Sequence, residues 1–168
     1  MDSAKQDWYS VSSLLLHALN TIKQQLPEIK EVFLRSDNAG CYKCGHIWLV
    51  MNELSKQSGI RIKRYDYREP QSGKNDCDAK IAHMRGKMQV YVTNGNNINT
   101  AKDLKTAIDY QQGFSGVQCS VVAINSENLT LKSHRWRGIT NYNNLEFLYD
   151  GIKVWKAYKC WQWLLNYE

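Results

Sequence analysis

The sequence of 168 residues predicts an α/β fold. Three observations carry that prediction. Apolar residues recur at three- and four-residue spacing over 8–26, 45–57 and 76–92, the period of amphipathic helices. Between these stretches lie short β-rich runs, "EVFLRS" and the alternating "IRIKRYDY". After Gly113 the texture turns β-rich. Helices interleaved with short strands pack as a sheet covered by helices.

Each element has its own local reason. Over 8–26, Val11, Leu14, Leu15, Ala18, Leu19, Ile22 and Leu26 line one helical face, Asp7 stands in the capping position, and Pro27 follows the end. "EVFLRS" is too short for a helix and reads as a strand. In 45–57, Ile47, Val50, Met51 and Leu54 share a face, and Gly59 supplies a C-terminal stop. A strand over 60–67 follows, then the loop "REPQSGKN". The third helix runs from about Asp76 to Val92, with Cys77, Ile81, Met84, Met88 and Tyr91 in one stripe read as core packing. Thr100 starts a shorter helix with Leu104, Ala107 and Ile108 inward and Asp103 completing a weak capping box.

Beyond Gly113, "VQCSVVAI" and "LTLKS" are strand candidates. "LEFLYDGIKVWKAYK" reads as a hairpin on a type I′ turn at Asp150-Gly151. The terminal "CWQWLLNYE" is apolar enough to pack back on the fold or to bind a partner. A boundary near 95–115 separates an α/β core, 1–98, from a short helix and β-rich region, 99–168.

Composition narrows the function classes. A hydrophobic fraction of 43% is enough to build a core, and two prolines with no low-complexity tract argue against disorder. No apolar run approaches the ~20 residues that span a bilayer, so no membrane partner is expected. The N-terminus has no apolar signal region. The cysteines at 41, 44, 77, 119 and 160 are then expected as reduced thiols of an intracellular protein. A net charge of +6 favours a polyanion partner.

Several residue groups are candidates for chemistry. "CYKCGH" offers Cys41, Cys44 and His46 to zinc, but a zinc site wants four ligands and the other cysteines stand alone. "SGKN" lacks the first glycine and the Ser/Thr of a P-loop, which leaves Lys74 as a candidate phosphate contact only. Basic residues beside aromatics are the strongest binding signal, because they neutralise phosphates and stack on bases. Arg61, Lys63, Arg64 and Arg68 lie among Tyr65 and Tyr67, and Lys132, Arg135 and Arg137 surround Trp136. In "KVWKAYKCWQW" a half-buried strand explains the same pattern better.

The carboxylates are the remaining group. Asp37 follows a strand, and Asp76 and Asp78 open the third helix. Sites in open α/β sheets form at the carboxyl ends of strands. Clustered carboxylates repel, and hard divalent cations hold them together. Turn formation, capping and the helix dipole also favour Asp at these positions, and spacing alone prefers that simpler reading.

"SDNAG" after an apolar strand resembles the "SDNG" step of RNase H-like (DDE/D-type) transposases and retroviral-type integrases. "GIRIKRYDYREPQSGKNDCDAKIAHMR" is similar to their strand, proline-glutamine loop, Gly-Lys, acid and long-helix segment. "RSDNAGCY…YDY…GKNDCDAKIA" also resembles a set of animal proteins of transposon origin. The resemblance covers roughly 8–95 and implies a partial RNase H-like fold, a mixed sheet flanked by helices, followed by a small β-rich region. It implies Asp37 as the second acid of a triad. The third falls on Asp76 by gap-free reading from Gly73-Lys74, or on Asp78 by the Gly-Lys…Cys-Asp segment. The cofactor implied is Mg²⁺ or Mn²⁺, the partner nucleic acid, and the residence nuclear. Lys74, Arg64, Arg68, Arg135 and Arg137 are the expected DNA contacts.

Two departures limit what the resemblance implies. Seven residues precede the first helix, so the first strand and its acid are expected to be absent. The third acid is Asp, not Glu, whereas two-metal chemistry needs a carboxylate bridging ions about 4 Å apart. The expectation is a truncated or degenerate catalytic domain, inactive as this fragment, whose ancestral reaction is DNA strand cleavage and transfer. The alternatives are a non-catalytic nucleic-acid or protein interaction module and a small zinc-stabilised fold. Oligomeric state is left open.

Overall fold

A computed structural model describes residues 5–68, 76–124, 136, 138–157 and 160–166. The described elements are helix α1 (Trp8–Gln25), strand β1 (Glu31–Asp37), helix α2 (Gly45–Ser58), strand β2 (Arg61–Arg68), helices α3 (Asp76–Thr93) and α4 (Ala101–Asp109), a 3-10 turn at Ile139–Asn141, and strands β3 (Asn144–Phe147), β4 (Gly151–Ala157) and β5 (Cys160–Asn166). The fold is α/β, as the periodicity predicts.

The strands form one mixed sheet in the order β1-β2-β3-β4-β5. β1 and β2 run parallel, from Glu31 opposite Arg61 to Asp37 opposite Arg68. The other neighbours pair antiparallel. Parallel strands need a crossover, and α2 supplies it. One irregularity matters. Val32 pairs with Ile62 but Phe33 pairs with Arg64, which leaves Lys63 as an extra residue in β2. Residues three apart on a regular strand face opposite ways. The bulge lets Ile62 and Tyr65 both face the core.

That core is a single layer between the sheet and two helices. Ile62, Tyr65, Tyr67, Leu145, Phe147, Ile152 and Val154 from the sheet meet Leu19 of α1 and Ile47, Trp48, Met51 and Leu54 of α2. β1 alternates with it: Val32, Leu34 and Ser36 are half-buried, while Glu31, Phe33, Arg35 and Asp37 are exposed. Asp7 caps α1 by accepting from the Ser10 amide at 2.9 Å. Gly59 closes α2 at φ 66°, a left-handed conformation that only glycine adopts without strain.

The chain divides into two compact units. One is the sheet with α1 and α2, built on Lys5–Pro70 and Ile124–Glu168; the other is built on Gln71–Ala123. The boundary expected at 95–115 therefore gives way to an inserted helical unit, because the C-terminal hairpin joins β2 in the same sheet instead of forming its own.

In the helical unit α3 packs on α4. Thr100 and Asp103 form the capping box, and Ala107 and Ile108 are buried. The expected core stripe of α3 is not buried. Cys77 and Ile81 are exposed, and Met84, Met88 and Tyr91 are half-buried. A two-helix unit has too little apolar partner surface to bury an 18-residue helix.

Two further expectations change. The stretch "VQCSVVAI" has no strand, and Gly116 at φ 71° turns the chain just before it. The β3–β4 hairpin forms, but its turn is Tyr149-Asp150, closed by Leu148 N–H donating to the Gly151 carbonyl at 2.8 Å. Gly151 begins β4 without the positive φ that a type I′ turn would demand of it. "LTLKS" lies outside the described residues. Within "CWQWLLNYE", Cys160–Asn166 pairs antiparallel with β4 as β5.

Candidate functional site

The carboxyl ends of β1 and β2 are where a parallel α/β pair opens a crevice. Asp37 is the last residue of β1 and is exposed. Its Oδ1 accepts from the Ala39 amide at 2.9 Å, an Asx turn that fixes the carboxylate and starts the loop to α2. Ser36 Oγ donates to the Asp37 carbonyl at 2.8 Å and accepts from the Tyr65 hydroxyl at 3.0 Å. The backbone on both sides of Asp37 is therefore held.

Beneath the loop lies a chain of buried donors. Trp48 Nε1 donates to the Tyr67 hydroxyl at 2.9 Å, which in turn donates to the Tyr42 carbonyl at 2.9 Å. Burial pushes the Tyr65 phenol up to about 12 and raises Tyr67 further still. Both are neutral hydrogen-bonding groups at physiological pH. Burial also raises the Tyr42 phenol, and the Cys41 and Asp37 charges add to it.

Lys43 ties the loop to the far end of the chain. Its ammonium donates to Asn38 Oδ1 at 3.1 Å, the Thr140 carbonyl at 3.1 Å and Asn143 Oδ1 at 2.9 Å. An ammonium has three donors, and all three are satisfied. It also lies over the Tyr67 ring, 5.3 Å from the centroid. Burial holds the Lys43 amine below the usual lysine range. Lys43 was not a sequence candidate. Two of its partners lie 97 and 100 residues away, beyond any local pattern.

The expected ligands are distributed as follows. Asp37 belongs to the sheet unit. Asp76 and Asp78 lie in the first turn of α3, in the helical unit, and Asp78 is exposed. Cys44 caps α2 by position but makes no side-chain cap bond, and burial raises its thiol. The His46 ring stacks on Trp8 at 4.8 Å with 13° between the planes. Among the described residues no group of three or more His, Cys, Asp or Glu is arranged to hold a metal ion.

The basic candidates divide as well. The Arg64 guanidinium grips Asp66 with Nε at 2.9 Å from both oxygens and a second nitrogen at 2.5 Å, and Asn144 Nδ2 adds a donor to Asp66 at 2.6 Å. This half-buried pair neutralises Arg64 locally. Arg68 ends β2, opposite Asp37. Lys74, Arg135 and Arg137 lie outside the described residues. The sheet face turned away from α1 and α2 carries Phe33, 62% exposed, with the Lys63 ammonium 6.0 Å from its ring. Arg35 is exposed on the same face.

A family model described as a domain of unknown function (DUF8701) matches residues 1–142, most of the chain. The chain belongs to the DUF8701 family. The DUF8701 segment includes β1, α2, β2 and the α3–α4 unit, with Asp37, Lys43, Asp76 and Asp78. It ends at Tyr142, just before Asn143 and β3. No curated protein and no solved structure matches the chain. No helix among the described residues is long and apolar enough to cross a membrane.

Proposed function

We propose that the chain is a nucleic-acid-binding remnant of an RNase H-like transposase or integrase catalytic domain. In this reading Asp37 and Asp78, with Asp76 as the rival of Asp78, are the surviving ligands of Mg²⁺ or Mn²⁺. DNA strand cleavage and transfer is the ancestral reaction, and the present role is binding, in the nucleus. The observation that carries the reading is the position of Asp37. It ends the first strand of a parallel β1–α2–β2 pair and is fixed there by its own Asx turn. An ionised carboxylate offers about four acceptor sites, so the single bond to Ala39 orients Asp37 without exhausting it. Hard divalent cations take such oxygens.

For DNA the support is the exposed side of the sheet, with Arg35 beside Phe33 and Arg68 beside Asp37, while Lys63 on that side is paired with Glu31 at 3.3 Å. Cations track phosphates and an exposed ring offers a stacking platform. Two-metal cleavage needs a bridging carboxylate, and the aspartates here are one methylene shorter than the glutamate of the resembled motif.

Fluorescence anisotropy with a single-stranded and a duplex oligonucleotide tests the proposal. The affinity is expected to fall linearly on a log–log plot against salt, with a slope reduced by about 1 in Arg35→Ala and in Arg68→Ala. An affinity independent of salt, or equal slopes in all three proteins, contradicts it.

A further inference from the structure

The helical unit contains an open groove of about 400 Å³, lined by Ala82, His83, Gly86, Lys87, Tyr110 and Phe114 among others. We propose that this groove binds a flat aromatic heterocycle of nucleobase size. The volume lies within the range of small-molecule sites. Nothing in this inference depends on Asp37 or on a metal ion.

Three features of the groove point to a ligand. The first is Gly86, in the middle of α3. A glycine within a helix destabilises it relative to alanine. Gly86 has an ordinary helical φ, and a Cβ added there would meet nothing within 4 Å. Neither backbone conformation nor packing requires glycine. Its lack of a side chain leaves the floor of the groove open.

The second is the loop that forms the opposite wall. Gln111 and Gln112 hold φ at 50° and 68°, and Gly113 at 64°. Left-handed φ at consecutive non-glycine residues is strained, and such strain is characteristic of ligand clamps. Here it turns the carbonyls of Tyr110, Gln111 and Gly113 onto the Lys87 ammonium, at 2.9, 3.4 and 2.6 Å. The lysine thus becomes a fixed cation inside the groove.

The third is the ring geometry, which selects a flat occupant. His83 and Phe114 lie 14° from parallel with centroids 6.0 Å apart. The Lys87 ammonium is 4.8 Å from the Phe114 centroid. His83 is exposed, so its ring remains accessible to a further stacked ring at the 4.5–7 Å spacing that aromatic pairs prefer. A nucleobase supplies that ring; the three Lys87 donors are taken up by the loop carbonyls, so the lysine acts by holding the loop and the Phe114 ring in place. The same chemistry is offered by a free nucleotide and by an unstacked base of a nucleic acid.

The test follows backbone amides by NMR while AMP, and separately a single-stranded oligonucleotide, are titrated into the full chain. The Gly86 and Phe114 amides are expected to shift saturably. Saturation by AMP identifies a nucleotide site, and saturation by the oligonucleotide alone identifies a site for a base within a strand. Gly86→Leu fills the groove and is expected to abolish the shifts with helix content unchanged. Should that variant not fold, Phe114→Ala is expected to do the same by removing the stacked ring. Asp37→Asn is expected to leave the shifts intact, which separates this site from the proposed cation site. No saturable shift with either probe overturns the proposal, as do shifts that persist in the variants.

Discussion

The Trp48 indole donates to the Tyr67 hydroxyl at 2.9 Å, wholly inside the core, and that hydroxyl in turn donates to the Tyr42 carbonyl. One phenol thereby joins α2, β2 and the loop that follows Asp37. Tyr67→Phe removes the hydroxyl and leaves a buried indole N–H and a carbonyl without a partner. Unsatisfied buried groups cost about 1–3 kcal/mol each. Urea unfolding is expected to show a loss of that order. Unchanged stability would mean that the loop's backbone is held by other means.

The tyrosines also set an alkaline limit. Burial raises the Tyr65 phenol to about 12 from an ordinary value near 10, and Tyr67 is raised too. Above pH 10 the unfolded chain loses phenolic protons that the folded state retains, so stability falls as pH rises from 10. Tyr65 alone accounts for about 2–3 kcal/mol of that loss by pH 12. The ultraviolet band of tyrosinate, followed with pH, should show these groups ionising only as the protein unfolds. Tyr65→Phe is expected to flatten the dependence between pH 10 and 12.

Lys43 supplies a third prediction. Its ammonium is the described link between the loop at Asn38 and the segment Thr140–Asn143. Lys43→Met keeps the stem but loses all three bonds. Amide exchange at Asn141 and Tyr142 is expected to accelerate by about tenfold or more, the effect of one or two lost hydrogen bonds. Exchange in α1, which makes none of these contacts, should not change.

At the start of α1, Asp7→Ala removes the bond to the Ser10 amide. The expected cost is about 1 kcal/mol. That same bond holds the Asp7 carboxyl below the usual carboxylate range. The cap's contribution is therefore complete above the unfolded-state value and lost as pH falls through the folded one. Thermal melts of wild type and variant at neutral and strongly acidic pH should converge at the acidic end.

Local patterns made much of this fold legible. The apolar repeat from Val11 to Leu26 with Asp7 ahead of it marks α1, Gly59 marks the end of α2, and Thr100 with Asp103 marks the start of α4. The short apolar run in "EVFLRS" marks β1 and alternation in "IRIKRYDY" marks β2, its phase slipping at Lys63-Arg64 where the bulge against β1 lies. The α3 stripe misled because periodicity shows that a face is apolar, not that anything covers it. At the site, Asp37 was visible from its place after a strand. Lys43, Asn143 and Thr140 were not, since their contact depends on the hairpin returning to β2. Arg64 reads in the sequence as a phosphate contact, and nothing local shows that Asp66, two residues on, faces the same way and binds it.

Asp37 and the acids opening α3 are proposed as ligands of divalent cations. Substoichiometric Mn²⁺ added to isotope-labelled protein tests this most directly, because a paramagnetic ion broadens the amides around it. Selective broadening is expected at Asp37–Ala39 and at Asp78–Ala79, displaced by Mg²⁺, with that at Asp37–Ala39 lost in Asp37→Asn. Absence of broadening at Asp37–Ala39 would contradict the assignment and leave Asp37 as a turn former.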